Sequence, residues 1–303
     1  MSTHPNFFAQ PQPFKRYADV VLHTPPGFTY LHQGYFGRVF VSTNGTTVLK
    51  VFMDSDVEGQ RKEYNILQLL SACAPDYAPG PVKFTRVNVG GFEYPAIQMP
   101  NAGNAMNVLG NIYQSSLPQD QQLPALTVEE LALCMLQSIH CVLLVNDRLQ
   151  MKDVHRGNLC VQWRGPEIHL RFIDVGMWSI EGGGIVNNAY TLFWGMKDPV
   201  ERLWFYILKP YAQNNSPLAL ELQQILQQGI TKFQKGKLSR LNVYAELVQL
   251  AEDIKKTFYK HAECSRDYYI RVETLLESIY LANHMALLQF SPQPHQKPQQ
   301  CKH

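Results

Sequence analysis

The sequence predicts an α+β protein in two lobes, a strand-rich N-terminal lobe and a larger, mainly helical C-terminal lobe. Three observations carry this expectation. Short β-branched runs alternate with turns through the first hundred residues, the apolar spacing changes to a helical one near residues 110–125, and a 303-residue chain that is 45% hydrophobic can fill a sizeable core.

Residues 1–13 and 291–303 are rich in Pro, Gln and His and have too little apolar surface to offset their ordering entropy, so both are expected to be disordered tails. The N-lobe is then expected over 14–104 and the C-lobe over 105–290. Gly37–Ser42 and Thr46–Met53 read as strands joined at Asn44-Gly45, a pair that tolerates the positive φ of a two-residue hairpin turn. Glu58–Leu70 reads as a helix because Tyr64, Ile66, Leu67, Leu69 and Leu70 fit one face. Val82–Val89 and Phe92–Met99 read as strands around Gly90-Gly91.

After the polar stretch Gln114–Pro124, Thr127 is the expected N-cap of a helix, and Glu130 completes its capping box. The apolar run Leu131–Val145 is interrupted by Gln137, Ser138 and His140, too short and too polar for a bilayer, and reads as a buried helix. Leu159–Trp163 and Ile168–Ile173 form a further hairpin about Arg164-Gly165-Pro166. From about Pro199 to Phe290, apolar-periodic segments read as a helical bundle in which Met, Leu and aromatic residues are core rather than a ligand site.

Charge narrows the function classes. With 27 basic and 25 acidic residues the chain carries +2, which gives no footprint of a nucleic-acid binder. Cys73, Cys134, Cys141, Cys160, Cys264 and Cys301 form no CxxC pair and fall mostly in apolar runs, so they are expected to be reduced thiols of a cytoplasmic or nuclear protein. No secretory signal is expected in Met1–Lys15, which is polar and proline-containing, and no membrane partner is expected.

Four patterns carry chemistry, each with a part in phosphoryl transfer. Gly34-Tyr35-Phe36-Gly37-Arg38-Val39 is a glycine-containing turn whose backbone N–H groups would close over phosphates, although two glycines in a hairpin are more often only a turn. Lys50 stands in the apolar strand Val48–Phe52, where burying an ammonium is costly unless an anion meets it. Glu63 on the following helix is the expected partner, with Glu58 as the alternative nearer the preceding loop. In Met151-Lys152-Asp153-Val154-His155-Arg156-Gly157-Asn158, Asp153 would orient or deprotonate an attacking hydroxyl while Asn158 and a later carboxylate hold metal. The plainer reading is a polar loop whose Asp and Asn cap backbone groups. Phe172-Ile173-Asp174-Val175-Gly176 then delivers a carboxylate suited to Mg²⁺ into a glycine turn.

Taken in order, a glycine loop, strand lysine, helix glutamate, DxxxxN loop and DxG turn resemble the protein kinase superfamily over roughly residues 27–290. The resemblance implies a bilobal protein kinase-like fold that binds ATP and Mg²⁺ between its lobes. It implies Lys50 and Glu63 as an ion pair, Asp153 as catalytic base, and Asn158 and Asp174 as metal ligands. Gly34 and Gly37 would cover the nucleotide, Val39, Val48 and Cys160 or Leu159 would sandwich adenine, and the strand ending at Met99 would lead into the hinge.

The sequence also departs from the family's pattern. His32 replaces the first loop glycine, Met151-Lys152-Asp153 stands for His-Arg-Asp, and Val175 stands for the Phe of DFG. His155 with Arg156 replaces the usual lysine, so Arg156 or protonated His155 is expected to face the γ-phosphate. No Ala-Pro-Glu follows Asp174. This compact pattern looks like a fast-diverging kinase of viral or effector type. The expected activity is Ser/Thr protein phosphorylation. The alternatives are a small-molecule kinase, because Asp153–Asn158 is similar to the DxHxxN loop of aminoglycoside and choline kinases, and a nucleotide-binding pseudokinase scaffold.

Overall fold

A computed structural model describes residues 24–33, 37–52, 56–106, 125–165, 167–180, 184–194, 203–235 and 239–289, without the side chains of 233–235. Gly34, the expected tails, the stretch Gln114–Pro124, and Pro166 and Pro199 lie outside the described residues. The fold is α+β, as expected.

Five antiparallel strands form the first sheet in the order β1-β2-β3-β5-β4. They are β1 Phe28–Gln33, β2 Gly37–Ser42, β3 Thr47–Phe52, β4 Lys83–Val89 and β5 Phe92–Pro100. The β2–β3 reversal falls at Asn44-Gly45 as expected, but as a four-residue connection, Thr43–Thr46, in which Gly45 has positive φ and Asn44 does not; the Asn44 carboxamide oxygen accepts from Thr46 N at 3.1 Å instead. Between β3 and β4 runs α1, Val57–Cys73, whose N-cap Asp56 accepts from Gly59 N. It passes the expected end at Leu70 because the Ser71 hydroxyl finds the Gly80 carbonyl at 3.1 Å and Ala74 N closes on Leu70 O at 2.8 Å.

Register divides this sheet into two faces. Opposed residues and residues two apart share a side, so the pairs Val39↔Lys50, Lys50↔Ile97, Val41↔Val48 and Val48↔Met99 place all six side chains together. The opposite face packs a small cluster of Phe40, Leu49, Val51, Val89, Tyr94 and Ala96. Ile97, Met99, Phe52 and Phe84 belong instead to the main core, which continues without a break through α1 into the helices.

A second sheet, in the order β6-β7-β8, contains β6 Asn104–Ala105, β7 Leu159–Arg164 and β8 Glu167–Phe172. The boundary expected after residue 104 therefore falls within a strand, since Asn104 pairs with Val161 and Ala105 with Cys160. The helices are α2 Val128–Val145, α3 Gly184–Ala189 running into a π turn at Tyr190–Trp194, α4 Leu203–Gln213, α5 Pro217–Lys235, α6 Arg240–His261 and α7 Arg266–Leu288.

Helix α2 is the centre of the molecule, apolar on nearly every side and packed on α7, α6 and β8. Its capping box forms as expected: Thr127 Oγ1 accepts from Glu130 N, and a Glu130 oxygen accepts from Thr127 N. The polar interruptions of its apolar run each have a partner. Gln137 extends the edge of β8, donating to Ile168 O at 2.9 Å and accepting from Leu170 N at 2.8 Å. Ser138 bonds back to Cys134 O, and His140 Nδ1 meets the Tyr77 hydroxyl at 2.7 Å. By length and composition α2 passes for a membrane span, but 78% of it is buried inside the protein. Cys73, Cys134, Cys141, Cys160 and Cys264 are free thiols.

Candidate active site

The site begins with Lys50, carried on β3 towards α1 and only 7% exposed. Both oxygens of Glu63 accept from its ammonium, at 2.7 and 2.8 Å, and Asp174 Oδ1 accepts at 2.5 Å. Glu63, one of the buried residues of α1, is the partner; Glu58, the alternative, is exposed in the first turn. Burial pulls the Lys50 pKa down, and the Glu63 and Asp174 carboxylates more than reverse it, so the ammonium is held above its ordinary value.

Asp174 reaches Lys50 from across 124 residues. The hairpin of β7 and β8 ends at Phe172, and Asp174 then adopts φ +52 in the left-handed region as the chain enters a short 3-10 turn over Val175–Met177. Positive φ is rare for a side chain other than Gly and is least costly for Asp and Asn. Gly176 completes the turn against α1, where an added Cβ would stand 3.0 Å from Glu63 Oε2. The DxG pattern thus has a packing reason here: the glycine lets the turn sit directly on the glutamate that holds Lys50.

The loop from Met151 to Asn158 lies beside this turn. Asn158 Nδ2 donates to Asp153 O at 2.9 Å, and its own carbonyl accepts from Ile173 N at 2.9 Å, so one residue ties the Asp153 loop to the residue preceding Asp174. With its nitrogen occupied, the Asn158 carboxamide presents its oxygen as the remaining acceptor. Asp153, at φ +53, shares the unusual backbone of Asp174 and is exposed. Non-glycine residues in this region gather at functional sites. His155 Nδ1 accepts from Gly157 N, and the Arg156 guanidinium lies over the Tyr206 ring of α4, 4.8 Å from its centre.

Asn188, a fully buried residue of α3, carries no sequence signal that marks it as part of the site. Its side-chain oxygen accepts from Met151 N at 2.6 Å, and its nitrogen donates to Leu149 O at 2.8 Å. It therefore fixes the backbone that enters the Asp153 loop. Asn188→Ala would leave these buried groups unpaired and is expected to cost about 2–3 kcal/mol of stability, read by urea unfolding. A cost under about 0.5 kcal/mol would show that water replaces the side chain.

The residues expected around adenine divide into three. Val39, Val48 and Met99 share the sheet face of Lys50. Cys160 is buried on β7, and burial pushes its thiol up to about 12, so it contributes as a small apolar side chain. Gly37 is required by the sheet itself, since a Cβ there would meet Val51 O at 2.4 Å. A pocket of about 370 Å³ opens where α1 meets the DxG turn, lined in part by Phe52, Gly59, Glu63, Gly176 and Met177. It borders the Lys50 cluster through Glu63, and Asp153, Asn158, Met99 and Cys160 are not among its lining residues.

Among the described residues no group of three or more His, Cys, Asp or Glu side chains forms a metal cage. A Mg²⁺ ion bound with a nucleotide does not need one, because phosphates and water complete its six oxygens around one or two protein ligands. Asp174 Oδ2 and Asn158 Oδ1 are such a pair of hard donors, so the residues present fit the ion. No protein-family model matches the chain, and no curated protein matches it.

Proposed function

We propose that the chain is an ATP- and Mg²⁺-dependent phosphotransferase with a bilobal, protein kinase-like fold, acting on Ser or Thr hydroxyls of a protein. One observation carries the reading: a buried ammonium from a strand, a glutamate from the next helix and an aspartate from a distant hairpin meet at hydrogen-bond distance. The Asp174 carboxylate stabilises the buried ammonium, but its half-exposed, left-handed position also leaves an oxygen open towards solvent, an arrangement typical of functional sites.

In this reading Lys50 holds the α- and β-phosphates while Glu63 keeps its ammonium in place. Asp174 and Asn158 hold Mg²⁺, which supplies neutralising charge to the β- and γ-phosphate oxygens when bound. Asp153 accepts the acceptor's hydroxyl proton. The hydroxyl oxygen bonds to the γ-phosphorus as the bond from that phosphorus to the bridging oxygen breaks, and ADP leaves.

The test is incubation with γ-labelled ATP and a mixed protein extract, beside Asp153→Asn. The expected result is labelled protein from the native chain and about 10³-fold less from the variant, with ATP binding retained. Equal labelling by both would remove Asp153 from the chemistry, and lost ATP binding would mean that it has another role. A small-molecule kinase is the second reading, favoured because α3 begins at Gly184, soon after Asp174, which leaves little chain to dock a peptide. Label entering sugars or amino alcohols instead of protein would select it.

A further inference from the structure

Around Asp153 the loop presents Lys152 and His155 exposed and Arg156 half-buried, between the buried ends Met151 and Asn158. Because His155 Nδ1 is occupied as an acceptor, its other ring nitrogen is left to face outward as a donor. The Arg156 guanidinium lies over the Tyr206 ring, and among the described residues its N–H groups meet no acceptor. Lys209, exposed and three positions beyond Tyr206, lies on the same helical face. Among the described residues neither Lys152, Arg156 nor Lys209 makes an ion pair, whereas Lys232, Lys255 and Lys260 each hold a carboxylate.

We infer that these cations recognise the acceptor, and that the acceptor is a protein segment whose hydroxyl is flanked by acidic side chains. The inference rests on the phosphotransferase reading and names its substrate class. Donors without acceptors among the described residues, grouped beside the candidate base in a chain whose net charge is only +2, match carboxylates near the reacting hydroxyl. Tyr206 is then a positioning residue: it holds Arg156 in place without neutralising it.

The test measures binding of a fluorescent peptide carrying Ser among Asp and Glu, against a twin with Gln in place of each acid. The native chain is expected to bind the acidic peptide about tenfold more tightly at about 50 mM salt, with the advantage shrinking at high salt. The double variant Lys152→Gln, Arg156→Gln should lose that preference. Tyr206→Leu should reduce it about threefold and Tyr206→Phe should restore it, which a merely structural tyrosine would not do. Equal binding of both peptides by the native chain, or an unchanged preference in the double variant, would overturn the inference. Because the readout is binding, acid preference without transfer would sink the phosphotransferase reading alone. Transfer with no acid preference would sink this inference alone.

Discussion

Asp174→Ala is expected to lower phosphoryl transfer about 10⁴-fold, equivalent to about 5.4 kcal/mol of barrier, measured by label transfer at saturating ATP. The carboxylate touches Lys50 directly and is the one charged metal donor in the proposed pair, so its loss affects both the anchor of the phosphates and the charge opposite them. Asp174→Asn separates charge from backbone strain. Asparagine also tolerates the left-handed φ of +52 found there, so the folded chain should keep its stability while transfer still collapses. Activity in Asp174→Asn within tenfold of the native chain would remove the metal role from this residue.

The second large effect is on stability. Either Glu63→Leu or Lys50→Met leaves a buried charge short of its partner, and each is expected to cost about 3–5 kcal/mol by urea unfolding. The double variant Lys50→Met, Glu63→Leu should recover most of that loss, because two apolar side chains replace a pair that was expensive to desolvate. Single variants within about 1 kcal/mol of native would mean that Asp174 or water compensates Lys50 fully. The pH dependence has a definite sign. The folded pKa of Lys50 lies above the ordinary lysine value of 10.5, so its contribution is fully present below that value and is lost as pH rises through the folded pKa. Lowering the pH from 9 to 7 should therefore leave the Lys50 contribution unchanged.

Much of this arrangement was legible because it is local. The capping box at Thr127 and Glu130 needs only two residues three apart, and the Asn44-Gly45 turn only two neighbours. Glu63 could be preferred to Glu58 because Glu58 lies close to the preceding loop, and the structure buries Glu63 while leaving Glu58 exposed in the first turn. Asn188 and Tyr206 were not legible. Asn188 bonds a backbone 37 residues away, and Arg156 meets a ring on α4 with the β7–β8 hairpin and α3 between them in the chain, contacts that leave no periodic trace. The end of α1 was missed for the same reason, since Ser71 is held by Gly80, and no apolar spacing announces that bond. The two-residue strand β6 is too short to carry an alternating pattern at all.

The ammonium of Lys50 has three N–H bonds, and in the free protein all three are engaged, two by Glu63 and one by Asp174. On the proposed reading a nucleotide would therefore meet a lysine whose hand is already full. In that reading Asp174 would compete with a phosphate oxygen for the same N–H and repel it as well, so a triphosphate without its metal would have to displace a like charge. Asp174 would be drawn away from Lys50 if it held a divalent cation, whose positive charge would offset that repulsion.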